Sequence, residues 1–400
     1  MNLDLNQEHE RLRDEVREFL RIHRGKASDN QKSADAASRA NLKAPETLKW
    51  QQLLVNKGYA GRTIPRKYGG YGADFDPMSS HIIAEASGRY NLSPGIVGQG
   101  ISMLIPILLK LGSEAQKEQF IRETLLGNII WCQGYSEPDA GSDLANLTTR
   151  ATLQGDHWIV NGQKIWTSTA HLADWMFCLV RTEPDAPKHK GISFLLFPMN
   201  SQGIEVRPLK TMTGESSFNE VFFSDVEVPA NQIVGKRGEG WKVATALLGH
   251  ERSMLGDPNV IQTRFNALVD LMKKETVDGV SLSKSPVWMD RLMKIQARVL
   301  ALKYNDLRIL SAQLNDEDAS LARMIVKLEG TELRHDLEGL AIDALGELGT
   351  LYDRDELLRD SGMWQKHFMF YLGLIIGGGT SQIQKNIIGE RGLGLPKEPR

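Results

Sequence analysis

A chain of 400 residues with 41% hydrophobic and 24% charged side chains has ample material for a sizeable core, in two or three structural units, and resembles neither a disordered nor a membrane protein. Its formal net charge of -2 supplies no basic excess to hold nucleic acid or an anionic membrane. Cys132 and Cys178, each within an apolar run, exclude a disulfide framework and a cysteine metal site, and the histidines form no H-E-x-x-H cluster, so no metal is expected.

The N-terminal stretch Met1 to Leu20 is charged and helix-like, without the apolar core of a signal peptide, which points to a cytoplasmic protein. The longest strongly apolar run, Ile101 to Leu111, contains Pro106 and is too short to span a bilayer. Leu5, Leu12, Val16, Phe19 and Leu20 form the stripe of an amphipathic helix, and a second helix is expected over Pro45 to Lys57. Gly58 to Gly61 and Pro65 to Gly72 read as a turn-rich loop. Helices resume over Pro77 to Tyr90 and Ile101 to Gly127, with a cap at Ser113-Glu114.

Between Ile129 and Val234 the apolar period shifts toward two, in runs at His157 to Gly162, Trp175 to Arg181, Gly191 to Met199, Ile204 to Leu209 and Val221 to Val228. Asn161-Gly162 reads as a hairpin turn. Helical spacing returns over Trp241 to Thr276, Val287 to Leu314, Ala319 to Leu345 and Trp364 to Ile376. The expected class is α+β: an N-terminal helical domain (1–128), a middle β-barrel or sandwich (129–236) and a C-terminal domain resembling a four-helix bundle (237–400).

Two loops and one helical turn carry candidate chemistry. In Gly249-His250-Glu251-Arg252, Glu251 follows Leu247 by one turn on the apolar stripe, so a carboxylate is aimed at a core. Burial there would disfavour its charge and suit it to act as a base near neutrality; the alternative is an ion pair with a Lys or Arg at the core edge. In Cys132 to Asp143, small residues let backbone amides approach a planar heterocycle or a phosphate, and Ser136 and Ser142 add hydroxyls. Gln163 to Ser168 adds an aromatic wall, Trp166, followed by the two hydroxyls of Thr167 and Ser168. Read alone, the first loop is more often a surface turn and Trp166 more often a core residue. No G-x-G-x-x-G loop follows a strand, so a dinucleotide fold of that kind is not supported.

With Ser136-Glu137-Pro138-Asp139-Ala140-Gly141-Ser142-Asp143, the Trp166 segment, the Pro65-to-Gly72 loop and Gly379-Thr380-Ser381-Gln382-Ile383-Gln384, the sequence resembles the acyl-CoA dehydrogenase family over nearly its whole length. Gln133-Gly134-Tyr135-Ser136, the G-H-E-R turn and Leu393-Gly394-Leu395-Pro396 make it similar to a bacterial branch that includes the large subunit of pimeloyl-CoA dehydrogenase.

The resemblance implies FAD-dependent formation of a 2,3-double bond in an acyl-CoA thioester. It implies FAD contacts at Gln133, Tyr135, Ser136, Gly141, Ser142, Trp166, Thr167, Ser168, Thr380, Ser381 and Gln382, and substrate contacts at Ser142, Arg252, Gly378 and Gly379. The usual catalytic glutamate precedes the G-T pair, where this chain has Gly378; members of the isovaleryl and long-chain type carry the base just before an Arg, the position of Glu251. The backbone N–H of Gly378 would then serve as an oxyanion donor.

By the same analogy the electron acceptor is an electron-transfer flavoprotein, and the assembly a homo-oligomer or a heterotetramer with a homologous subunit. The heteromer is suggested because Val277 to Leu282 lacks the Arg of an R-x-x-F-G motif, and Asp343-Ala344-Leu345-Gly346-Glu347 departs from Q-x-x-G-G. Alternatives are a flavin oxidase or monooxygenase of the same architecture, a subunit without full activity, and a desulfinase, which would dispense with Glu251.

Overall fold

A computed structural model describes residues 3–23, 43–90, 93, 95–352 and 355–397. They fall into two compact units, Asp14–Asp76 with Arg89–Glu251, and Met1–Arg13 with Pro77–Gly88 and Arg252–Arg400.

In the first unit the helices form where the sequence supplies starts and stops. Helix α2 (Pro45–Lys57) opens on Pro45 and ends at Gly58, which takes the left-handed φ of 72° that lets its N–H turn back onto the carbonyls of Leu54 and Val55. Helix α5 (Glu114–Leu125) begins with a full capping box, the Ser113 hydroxyl accepting from Gln116 N and the Gln116 side chain from Ser113 N. Its Phe120, Ile121 and Leu125 enter one apolar cluster with residues of α4 (Ile105–Leu111) and with Val243, Ala244 and Leu247 of α6 (Gly240–Leu255), whose last residues are counted in the second unit.

The β layer is one mixed sheet in the order β1 (Trp131–Gly134), β4 (Trp175–Arg181), β2 (Arg150–Gln154), β3 (His157–Lys164), β7 (Phe218–Pro229), β6 (Ile204–Leu209), with β5 (Ile192–Pro198) also on β4. β1 and β2 run parallel to β4, and the remaining pairs are antiparallel. β4 and β5 are near-continuous apolar runs because both faces are covered. Phe177, Leu179, Phe194 and Leu196 face the helix cluster, while Met176, Cys178, Val180, Leu195 and Phe197 enter a second core.

Asn161-Gly162 is not a hairpin turn. Both residues lie inside β3, and the β2–β3 turn is Gly155-Asp156, flanked by the pair Gln154 and His157. Gly162 stands where the register with β7 shifts, at φ 146°, and a Cβ there would come within 2.7 Å of the Thr149 backbone. The glycine serves close approach opposite a bulge whose extra residue lies on β7.

The second unit is built on α7 (Pro258–Lys274), α8 (Pro286–Leu314), α9 (Ser320–Leu345) and α10 (Met363–Ile376), followed by the short α11 (Ser381–Ile387). Ile261, Phe265, Leu268 and Met272, then Leu292, Ile295, Val299 and Leu302, recur at helical spacing and meet Leu333, Leu337, Leu340 and Ala341 in one core. The single helix expected over Trp241 to Thr276 is broken. Asp257 caps α7 by accepting from Asn259 N, Pro258 follows, and Gly256 lies so close to α9 that a Cβ would sit 2.5 Å from the Val326 carbonyl. No described helix is long and apolar enough to cross a membrane.

Candidate functional site

The candidate residues divide between the units. In the first, the loop after β1 is tied at several points. Glu137 and Ala140 exchange backbone hydrogen bonds of 3.1 and 3.0 Å, closing the Glu137-Pro138-Asp139-Ala140 turn. The Glu137 side chain, only 5% exposed, accepts from Thr148 N (2.6 Å), Thr148 Oγ1 (2.8 Å), Thr149 N (2.9 Å) and Lys164 Nζ (2.8 Å). Lys164 is fully buried and also donates to the Tyr135 carbonyl at 3.0 Å. Burial alone would raise the Glu137 carboxyl; the Lys164 ammonium and the Thr donors outweigh it and hold it at about 2.

This pair lies behind the loop and was missed from sequence as part of the site. The alternation of β3 did contain the signal, because Trp158, Val160 and Lys164 fall at even spacing and are buried.

The segment after β3 is fixed against the same loop, since Ile165 N donates to the Ser136 carbonyl at 2.9 Å. Thr167 and Asn219 exchange backbone bonds of 3.0 and 3.1 Å, and Thr169 N donates to the Ser217 carbonyl at 3.0 Å. Between these ties Trp166 and Thr169 both adopt φ 57°, a conformation costly for side chains other than Gly. Trp166 is 57% exposed, with one edge against Phe218 at 6.0 Å. An indole held off the core in a left-handed conformation presents a flat apolar face. Beside it, the buried Thr167 Oγ1 has no hydrogen-bond partner among the described residues. Ser168 is half-buried, Gln133 is half-buried on β1, and Gly141 and Ser142 are exposed, with open space where a Gly141 Cβ would be.

Glu251 is half-buried, four residues beyond the fully buried Leu247 on α6. Its charge reaches the phenol of Tyr135, a residue 5% exposed: burial first, and the negative Glu251 second, push that phenol well above its ordinary range.

In the second unit, Gly378 and Gly379 have φ of 68° and 99°, and a Cβ on Gly379 would meet the Gln384 amide at 2.6 Å. The Gly378 carbonyl accepts from Gln384 Nε2 (3.1 Å) and, at the outer limit, from Arg252 Nε (3.5 Å). Lys327, 1% exposed, donates to the carbonyls of Ile375 (2.9 Å) and Gly379 (2.6 Å). Thr380 caps α11 through Ile383 N, the buried Ser381 donates to Glu332 at 2.8 Å, and Gln382 is exposed. Thr276 to Ser281 forms a small hairpin with Asp278 and Gly279 at its tip, and Asp343 is paired with Arg291.

Residues 6–128, 132–226 and 238–393 match the models of the N-terminal, middle and C-terminal domains of acyl-CoA dehydrogenase. The chain is 34% identical to the acyl-CoA dehydrogenase IpdE1 of Mycobacterium tuberculosis, covering 96% of this chain and 99% of that one. It is similar in structure to the ChsE4-ChsE5 complex from Mycobacterium tuberculosis, with a TM-score of 0.82, 29% identity and full coverage of both chains. A protein described as the Tcur3481-Tcur3483 steroid ACAD gives 0.81 at 27% identity, again over both full chains. The chain belongs to the acyl-CoA dehydrogenase family and is an oxidoreductase acting on acyl-CoA.

Proposed function

We propose that this protein dehydrogenates an acyl-CoA thioester between Cα and Cβ to the trans-2-enoyl-CoA, with FAD as cofactor and Glu251 as the base for the α-proton. The observation that carries the reading is a carboxylate on the apolar face of α6, one turn beyond Leu247 and electrostatically coupled to a buried tyrosine, in a chain with Gly378 where most members have their base. An acyl thioester's α-proton is weakly acidic, so a carboxylate must stand ready beside it while donors stabilise the developing enolate oxygen. The Gly378 N–H is the donor this chain would contribute, and a missing side chain there leaves it intact.

The residues fit a flavin. The exposed Trp166 face, the orphaned Thr167 hydroxyl and the loop of Gln133, Tyr135, Ser136, Gly141 and Ser142 suit a flat ring with polar edges. Ser168 belongs to the same proposed set, and the family resemblance adds Thr380, Ser381 and Gln382 of the second unit as proposed contacts. When bound, FAD supplies the acceptor for the hydride lost from Cβ. Ser142, Arg252, Gly378 and Gly379 are the proposed substrate contacts.

The relative described as a steroid ACAD supports a bulky, steroid-derived acyl group, and the ChsE4-ChsE5 complex supports assembly with a different subunit. The absence of Arg from Val277 to Leu282, and the engagement of Asp343 by Arg291, favour that heteromer over a homo-oligomer with a complete cofactor site in every chain. An electron-transfer flavoprotein is the proposed acceptor and the cytoplasm the proposed location.

The test is the visible spectrum of the protein, purified alone and after co-expression with a homologous subunit, while acyl-CoAs of differing length, branching and ring content are added without oxygen. Bleaching of the flavin band is expected with one class of substrate. Glu251→Gln should slow it by about 10²-fold to 10⁴-fold with little change in binding. Reduction at a near-normal rate would reject Glu251 as the base, and oxygen consumption with release of peroxide would favour an oxidase.

A further inference from the structure

The Tyr135 hydroxyl is a buried polar atom with no hydrogen-bond partner among the described residues. Orphaned hydroxyls of this kind cost stability, so one in a well-packed core calls for an explanation. The ring is clamped edge-on by Phe177 at 6.1 Å and by Phe194 at 6.4 Å, which themselves stack at 5.8 Å. Its backbone is held by Lys164. Rigid at both ends, Tyr135 shares the apolar cluster with Ala244 and Leu247 of α6, and Glu251 continues the Leu247 face by one turn.

We infer that Tyr135 is the positioning residue for Glu251, its phenol O–H donating to the Glu251 carboxylate in the reacting state. The inference rests on the reading of Glu251 as the base. The coupling between the two groups supports it, since the Glu251 charge is the largest influence on the phenol after burial. A donor fixed by two aromatic rings would hold the carboxylate in one orientation and favour its charged form. Other titratable groups in this neighbourhood are Cys178 of β4, whose buried thiol is pushed up to about 12 and stays neutral, the exposed His250 beside Glu251 on α6, and Lys110 of α4, which acts on His250. Arg252 follows in the chain.

The first measurement is nuclear magnetic resonance of the full-length protein labelled at tyrosine Cζ. With eight tyrosines in the chain, the Tyr135 signal is identified by its loss in Tyr135→Phe. In the protein loaded with FAD and a non-oxidisable acyl-CoA analogue it is expected to move in Glu251→Gln, without any turnover. The second is the pH profile of flavin reduction by acyl-CoA. Removing a donor to the carboxylate should raise the acidic limb in Tyr135→Phe by about one unit, with the melting temperature nearly unchanged, because the deleted hydroxyl satisfies nothing in the resting protein.

A Tyr135 signal insensitive to Glu251→Gln overturns the contact. A signal that moves while the acidic limb does not overturns the positioning role and leaves the dehydrogenase reading standing. Near-normal reduction in Glu251→Gln rejects the base and, with it, any positioning of it.

Discussion

The two loops with candidate cofactor contacts, one after β1 and the other after α10, are each held from behind by a lysine withdrawn from solvent. Lys164 donates to the Tyr135 carbonyl and Lys327 to those of Ile375 and Gly379. A loop that must present its own amides and small side chains to a ligand has little left with which to anchor itself, and a long cation from a neighbouring strand or helix supplies the anchor. They differ in the contacts they make. Lys164 faces the carboxylate of Glu137, whereas Lys327 reaches carbonyls at the C-terminal end of α10, where the helix dipole is negative. The first arrangement depends on an ionised partner and the second also draws on main-chain dipoles, so the loops should fail differently.

The largest effect is expected at the ion pair. Lys164→Met or Glu137→Gln leaves one member of a buried pair uncompensated and should cost about 3–5 kcal/mol, while Lys164→Met with Glu137→Leu should recover part of the loss. Denaturant unfolding measures both, and a single variant within 1 kcal/mol of the parent would show that the pair holds nothing. The pH dependence follows from the depressed Glu137 value. Its stabilisation is present above the unfolded carboxyl value, about 4.3, and is lost as pH falls from there through about 2. Glu137→Gln should therefore flatten acid unfolding in that window.

At the second loop, Lys327→Met removes two hydrogen bonds from a charged donor, each worth about 1.5–3 kcal/mol at most, and part of that loss returns through relaxation and water. A total of about 2–3 kcal/mol is expected, below the cost at Lys164. Hydrogen exchange should show the loss concentrated at Ile375 to Gln384. Equal destabilisation by the two lysine variants, or loosening spread evenly over the chain, would erase the distinction between the two anchors.

Much of this arrangement was legible because it is local. The cap at Ser113, Pro45 at a helix start, and the stripe that carries Glu251 all depend on residues within a few positions of one another. What escaped depends on partners far along the chain. Gly162 is explained by Thr149 and by a register shift with β7, Gly256 by α9, and the lysine anchors by groups 27 to 52 positions away. An Asn-Gly pair gives the same signal at a turn as at a bulge, and alternation marks Lys164 as inward-facing without naming its carboxylate. The catalytic reading came from the family resemblance joined to the stripe, since neither alone distinguishes a base from an ion pair.

The smallest effect concerns how each loop meets its unusual backbone angles. After α10 the left-handed positions are Gly378 and Gly379, which carry no penalty there, whereas after β3 one is Trp166, at φ 57°. A bulky side chain in that conformation costs about 1–3 kcal/mol. Trp166 recovers little through burial, being mostly exposed, and its edge contact with Phe218 is worth about 0.5–1.5 kcal/mol. Trp166→Gly should therefore leave the flavin-free protein as stable as before or up to about 1 kcal/mol more stable, while flavin affinity falls. Gly378→Ala, which introduces a Cβ at φ 68°, should cost about 1 kcal/mol. Opposite signs in denaturant unfolding of the two flavin-free variants, with weaker flavin binding by Trp166→Gly, would mean that the first loop tolerates strain to display an aromatic face. A clear loss of stability in flavin-free Trp166→Gly would instead make the indole a structural residue and withdraw it from the proposed cofactor wall.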